Sequence, residues 1–202
     1  MFFRYRTLIP LLLLGLPAFA GSSAPGIQNF YKVDNHVYRG AQPTNEGLSY
    51  LAKIGVKTVL DLREPGSRSA QEQRDVTALG MQYVNVPMGG LTPPTEAQIT
   101  KILALLEDKS AGAVFVHCRR GADRTGAVIG AYRIDFDRWD NTRALREAMA
   151  DGMSFFQLPR QSYIRSFQSR TLQANDTAKP VEGKAAASAV PVALVPAPAG
   201  AR

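Results

Sequence analysis

The chain predicts an α/β domain built on a central, mainly parallel sheet flanked by helices, and three observations predict it. Runs rich in β-branched residues alternate with stretches of helical period. Two of those runs, VKTVLDL at 56–62 and AVFVH at 113–117, are short and apolar enough for strands buried on both faces. Helix start and stop signals lie between the runs, at the spacing of crossover connections rather than hairpins.

The elements follow in order. Phe30 to Val33 and Val37 to Arg39 read as short strands around a turn at Asp34-Asn35. Thr44 opens a helix with Leu48, Leu51, Ala52 and Ile54 on one side and Gly55 as its stop. The strand 56–62 comes next, with Val56, Thr58 and Val59 supplying β-branched side chains. Ser69-Ala70-Gln71-Glu72 reads as a capping box starting a second helix that ends at Gly80. Met81 to Val86 is a further strand. Thr95 to Gln98 caps a third helix, in which Ile99, Ile102, Leu103 and Leu106 recur at helical spacing. After the strand 113–117, helices are expected from Thr125 to Phe136 and from Asp140 to Ala150, with Gly152 closing the second. Trp139 is read as a core residue, and Arg39 as a structural one pairing with Asp61.

The ends of the chain differ from this pattern. Residues 1–20 read as a secretory leader: Arg4 and Arg6, an apolar stretch from Leu8 to Leu16, and Ala18-Phe19-Ala20 before Gly21. Pro10 and Pro17 interrupt a stretch already short of the roughly 20 residues that cross a bilayer, so cleavage is expected rather than stable membrane insertion. A mature chain in the periplasm or secreted is the consequence. Residues 173–202, rich in Ala, Pro and Val without an amphipathic period, read as a disordered tail. The remainder, 27–172, is one domain. The net charge of +7 fits anionic partners, but no zinc spacing, aromatic RNA-binding pattern or basic run points to nucleic acid. A monomer is expected.

Chemistry concentrates where the AVFVH strand ends. Residues 117–126 read HCRRGADRTG. A loop between a strand end at His117 and a helix start near Thr125 can turn its main-chain amides, those of Arg119, Arg120, Gly121, Ala122, Asp123 and Arg124, around a tetrahedral oxyanion. The same positive setting lowers a thiol pKa from its free value of about 8.5. Cys118, the single cysteine of the chain, is then a thiolate nucleophile at neutral pH. Arg124 offers a planar fork to two phosphoryl oxygens. Gly121 allows the tight turn, Thr125 can donate to the sulfur, and His117 orders the loop rather than acting as a base.

Cys, five residues, Arg, then Thr resembles the signature of the protein tyrosine and dual-specificity phosphatase superfamily. The stretch NFYKVDNHVYRGAQP (29–43), the strand VKTVLDLR and the helix through Tyr132, Arg133 and Trp139 are similar to small bacterial exported dual-specificity-like phosphatases. The likeness covers residues 29–153. It implies a cysteine-phosphatase fold and hydrolysis of phosphomonoesters through a phosphocysteine, with no metal or cofactor. Phosphotyrosine in proteins is the first substrate class it implies, with phosphoserine and phosphothreonine beside it, and phosphoinositides or inositol polyphosphates the second. Most relatives keep a general-acid Asp in the loop after the preceding strand. Here that loop, 87–94, reads PMGGLTPP and holds no carboxylate. Asp123 is the substitute, as in relatives whose loop carries Asp just before the Arg, and Asp61 and Glu64 are the reserves. Arg119 and Arg120 fit either a polyphosphorylated substrate or a solvated basic edge. The missing loop carboxylate keeps a non-catalytic phosphate-binding module open, and a rhodanese-like sulfurtransferase, which also places a Cys in an anion-binding loop, is a third class, less well matched by Arg124-Thr125.

Overall fold

The computed structural model describes residues 24–170, so the leader and the tail expected from the sequence lie outside the described residues. Five strands form one sheet in the order β1-β2-β5-β3-β4. They are β1 (Tyr31–Lys32), β2 (Val37–Ala41), β3 (Val56–Asp61), β4 (Gln82–Asn85) and β5 (Ala113–Cys118). Only the edge pair β1 and β2 is antiparallel. β2 with β5, β3 with β5 and β3 with β4 are parallel, as crossover connections require. Six helices complete the domain: α1 (Asn45–Lys53), α2 (Ser67–Ala78), α3 (Glu96–Glu107), α4 (Asp123–Asp135), α5 (Asn141–Ala150) and α6 (Leu158–Ser166). None of the described helices is long and apolar enough to cross a membrane.

The pleat of the central strand sorts the core into two layers. Val114, Val116 and Cys118 of β5 face Ile102, Leu103 and Leu106 of α3 and Val128 and Ile129 of α4. Phe115, on the other side of β5, packs with Leu48 and Leu51 of α1 and Val76 of α2. A third cluster joins Ala127 and Ile134 of α4 to Ala144 and Ala148 of α5 and Ile164 of α6. Helix α4 is thus covered on all sides, and its small residues make that possible. A Cβ at Gly130 would stand 3.1 Å from the end of the Ile164 side chain.

Several expected boundaries shift for physical reasons. Helix α2 begins at Ser67, not Ser69, because Gly66 takes the N-cap position and Ser69, one turn in, accepts from the Gly66 amide at 2.8 Å. Glu72 is therefore free of the cap and turns into the interior. Helix α4 begins at Asp123 rather than Thr125, and β4 is shorter than Met81 to Val86. Helix α6 carries no apolar period in the sequence, because the face it buries includes Arg160 and Gln161 beside Ile164. Pro159 in its first turn was the available signal. Arg39 pairs with Asp151 at 2.6 Å instead of Asp61. Trp139 is half-buried between guanidinium groups rather than part of the core, Arg143 lying 3.7 Å and Arg133 4.6 Å from its ring centroid.

Leu103 is fully buried between α3 and the sheet. Leu103→Ala is expected to lower unfolding free energy by about 2–5 kcal/mol, seen as a lower urea midpoint with an unchanged slope.

Candidate active site

Strand β5 delivers Cys118 at its carboxyl end, and α4 starts five residues later with Ala122 at its N-cap position. Alanine has no side chain to satisfy the orphan amides of the first helical turn, which leaves them to whatever enters the loop. The loop between is anchored from β2. Arg39, nearly fully buried, donates from Nη2 to the Gly121 carbonyl at 2.6 Å. The Gln42 amide donates to the Arg119 carbonyl at 3.4 Å. Gly121 has φ +69°, and a Cβ there would fall 2.3 Å from the Gly40 carbonyl carbon and 2.5 Å from the Ala41 nitrogen. Only glycine fits against that backbone.

The sulfur of Cys118 is almost wholly buried, which by itself pushes a thiol pKa up. The net direction is nevertheless downward: the Thr125 hydroxyl and amide, the Arg124 guanidinium and the Arg120 amide stabilise the thiolate. The Thr125 hydroxyl is buried and makes no hydrogen bond to another group among the described residues. Arg124 is half-buried, its Nη1 3.4 Å from the carbonyls of both Leu62 and Met88. Cys118, Arg124 and Thr125 are therefore brought together as the spacing predicts. Asp123 stands at the helix start, with Oδ1 accepting from the Ser154 amide at 2.9 Å and Oδ2 paired with Arg120.

His117 points to the opposite face of β5, where Phe115 stacks on it with ring centroids 5.5 Å apart. Its Nε2 lies 2.7 Å from Glu72 Oε1, close but off the N–H axis. Arg63 joins the two acids here, its Nη2 2.7 Å from both Asp61 Oδ2 and Glu72 Oε2. Tyr83 donates to Asp61 at 2.7 Å. Burial disfavours every charge in this group, but the mutual pairing prevails: His117 is held above its usual pKa and Asp61 below its own. Asp61 is thus a sealed, ionised partner of Arg63, and the reserve role of proton donor is withdrawn from it. Asp61, Glu72 and His117 could each offer a ligand atom within 4.8 Å of the others, but Arg63 already balances the two carboxylates from within the chain. Glu64 is exposed and lines a cavity of about 500 Å³ with Arg63, Arg68, Arg119 and Arg124.

One residue of the site escaped the sequence reading. Arg160, fully buried on α6, donates to the carbonyls of Gly89 and Gly90 and to Gln157, and feels the charges of Asp123, Arg124 and Cys118. It ties the carboxylate-free loop to α6. Leu91 on that loop and Phe155, Phe156 and Leu158 ahead of and within α6 stand 65–75% exposed, an apolar rim beside the catalytic loop. Nothing in the local sequence distinguishes Arg160 from a solvated helix arginine.

A parallel sheet ending in a cysteine at an uncapped helix start, with an arginine six positions on, defines a cysteine-phosphatase fold. Comparison with known proteins agrees. The family described as dual-specificity-type (DSP-PTPase) phosphatase fused to NAD+ kinase matches residues 22–166. This chain belongs to that dual-specificity phosphatase family. It is 30% identical over 140 residues to the dual specificity protein phosphatase TpbA of Pseudomonas aeruginosa strain UCBPP-PA14, covering 67% of this chain and 60% of the relative. It is 27% identical over 125 residues to the inositol diphosphatase SIW14 of Saccharomyces cerevisiae, covering 59% of this chain and 44% of that protein. The chain thus spans less than two thirds of the length of these relatives. The crystal structure of TpbA superimposes with a TM-score of 0.62 at 23% identity, over 77% of this chain and 98% of that one. The catalytic core of SIW14 with citrate gives 0.61 at 24% identity, over 77% and 94%.

Because Cys118 is the only thiol, its ionisation can be read directly. Iodoacetamide alkylation of the full chain is expected to follow a pH midpoint below the free-thiol value of about 8.5. Thr125→Val, which removes the hydroxyl donor but keeps the volume, is expected to slow alkylation at pH 6 by about tenfold.

Proposed function

We propose that this protein is a phosphomonoester hydrolase working through a phosphocysteine on Cys118. The supporting observation is a buried sulfur at a strand end and an uncapped helix start, whose pKa Thr125, the Arg124 guanidinium and the Arg120 amide lower against the effect of burial. The sulfur attacks phosphorus in line with the ester oxygen; the S–P bond forms and the P–O ester bond breaks. Arg124 and the first-turn amides of α4 bear the charge on the phosphoryl oxygens. Asp123 supplies the proton to the departing oxygen, being the carboxyl group carried by the catalytic loop itself. Water then attacks phosphorus, its proton passes to Asp123, and the S–P bond breaks. Inorganic phosphate leaves, and the returning thiolate is again stabilised by the Thr125 hydroxyl.

Phosphotyrosine in proteins is the leading substrate. The apolar rim of Leu91, Phe155 and Phe156 suits an aromatic phosphoester, and a TpbA variant has been crystallised in complex with phosphotyrosine. Inositol polyphosphate is the second reading, favoured by the cluster of Arg68, Arg119 and Arg124 around one cavity and by the inositol diphosphatase relatives. Export rests on the leader-like residues 1–20.

Three measurements test the reading. Full-length protein with EDTA present should hydrolyse para-nitrophenyl phosphate, Cys118→Ser should abolish this, and Arg124→Lys should lower kcat/KM by about 10²–10³-fold; turnover surviving in Cys118→Ser overturns the thiolate mechanism. Asp123→Asn should depress kcat by about 10²-fold or more on phenyl phosphate and far less on an ester with a good leaving group. An equal effect on both moves the acid role away from Asp123. Amino-terminal sequencing of the exported protein should begin at Gly21.

A further inference from the structure

A second cavity, of about 580 Å³, opens behind the catalytic loop between β1, β2 and α5. That volume lies within the range of about 300–1,000 Å³ typical of small-molecule sites. Its wall is partly apolar, from Tyr31, Val33, Trp139 and Ala150. Of the charged residues that line it, Lys32, Arg39, Arg133, Arg143 and Arg146 outnumber Glu147 and Asp151, and Arg133 also pairs with Asp137 at 2.7 Å. Both carboxylates are already engaged, Glu147 by Arg133 at 2.8 Å and Asp151 by Arg39 at 2.6 Å. Among the described residues, the side chains of Lys32, Arg143 and Arg146 pair with no carboxylate. Three cations without a carboxylate partner among the described residues therefore line an opening with a partly apolar wall.

Arg39 makes this more than a basic surface. It lines the cavity at 1% exposure, and its Nε, buried, has no hydrogen-bond partner. A buried donor left unmade costs about 1–3 kcal/mol, so an acceptor entering the cavity is favoured. The other arm of the same guanidinium holds the Gly121 carbonyl, within the catalytic loop. Any ligand that draws on Arg39 therefore bears on the loop that cradles the sulfur.

We propose that this cavity is a binding site for a small organic oxyanion, a carboxylate or phosphate borne on an apolar body, and that its occupancy is coupled to the catalytic loop through Arg39. Arg143 and Arg146 supply forked donors to the oxyanion. Tyr31, Val33 and Ala150 cover the apolar body. Coupling of two sites through a shared side chain is reciprocal, so an anion in the catalytic loop also changes affinity here.

Trp139 lines the cavity and is the only tryptophan, so its emission reports binding in the full chain. Titration with adamantane-1-carboxylate, which does not absorb in this region, should give a saturable change with Kd on the order of 1 mM. The double variant Arg143→Ala, Arg146→Ala, altered only at exposed positions, should weaken it by about tenfold or more. Arg74→Ala on α2 should leave it unchanged. The saturating probe should also change the rate of Cys118 alkylation by about threefold or more, and lose that effect in the double variant. Neither readout requires turnover, so the outcome is separable from the fate of the phosphatase reading. An emission that does not saturate, or a response undiminished in the double variant, would overturn the site. A saturable response with an unaltered alkylation rate would overturn the coupling.

Discussion

Lowering the pKa of a sulfur almost shut off from water is the constraint around which this site is arranged. Burial alone would push the Cys118 thiol up; the hydroxyl and amide of Thr125, the charge of Arg124 and the amide of Arg120 act the other way, and the net direction is downward. Each donor reaches the sulfur only because β5 ends and α4 begins within a few residues. The parallel sheet supplies the strand end, and an alanine at the helix start leaves the first-turn amides uncommitted.

The loop is fixed from outside by contacts of two kinds. On the β2 side, backbone meets backbone: Gly121 lies so close to Gly40 and Ala41 that no side chain fits between them, and Arg39 grips the Gly121 carbonyl. On the α2 side four buried polar side chains pack together, Arg63 between Asp61 and Glu72, and His117 against Glu72. Removing one member would leave a buried charge uncompensated, a cost of about 3–5 kcal/mol, whereas the intact set orients the residue preceding the nucleophile. Rigidity at the site is therefore a property of its neighbours.

The architecture was largely legible because it rests on local signals. Apolar runs at 56–62 and 113–117 became β3 and β5, and glycines at 55, 80 and 152, all at positive φ, closed the helices as expected. The grouping of Cys118, Arg124 and Thr125 was legible from spacing, since a strand and a helix with only four residues between them leave little freedom. What stayed hidden depends on long-range pairing. Glu72 reads as a helix cap beside Ser69, yet Gly66 takes the cap and Glu72 turns to Arg63 and His117. Arg39 reads as a partner for Asp61, but Asp151, 112 residues away, claims it. Arg160 breaks the apolar pattern that would have marked α6, because its guanidinium is buried against the carbonyls of Gly89 and Gly90. Buried arginines do not announce themselves in a hydropathy pattern.

The solitary thiol has a further consequence. A low-pKa thiolate is the form that oxidants convert to a sulfenic acid, and the usual rescue is condensation with a second cysteine. This chain contains no second cysteine. A disulfide formed on an oxidised Cys118 therefore joins it to a thiol of another molecule, the protection available within the chain being a sulfenamide with a backbone nitrogen. Disulfide rescue of Cys118 is thereby tied to the thiol content of the surroundings.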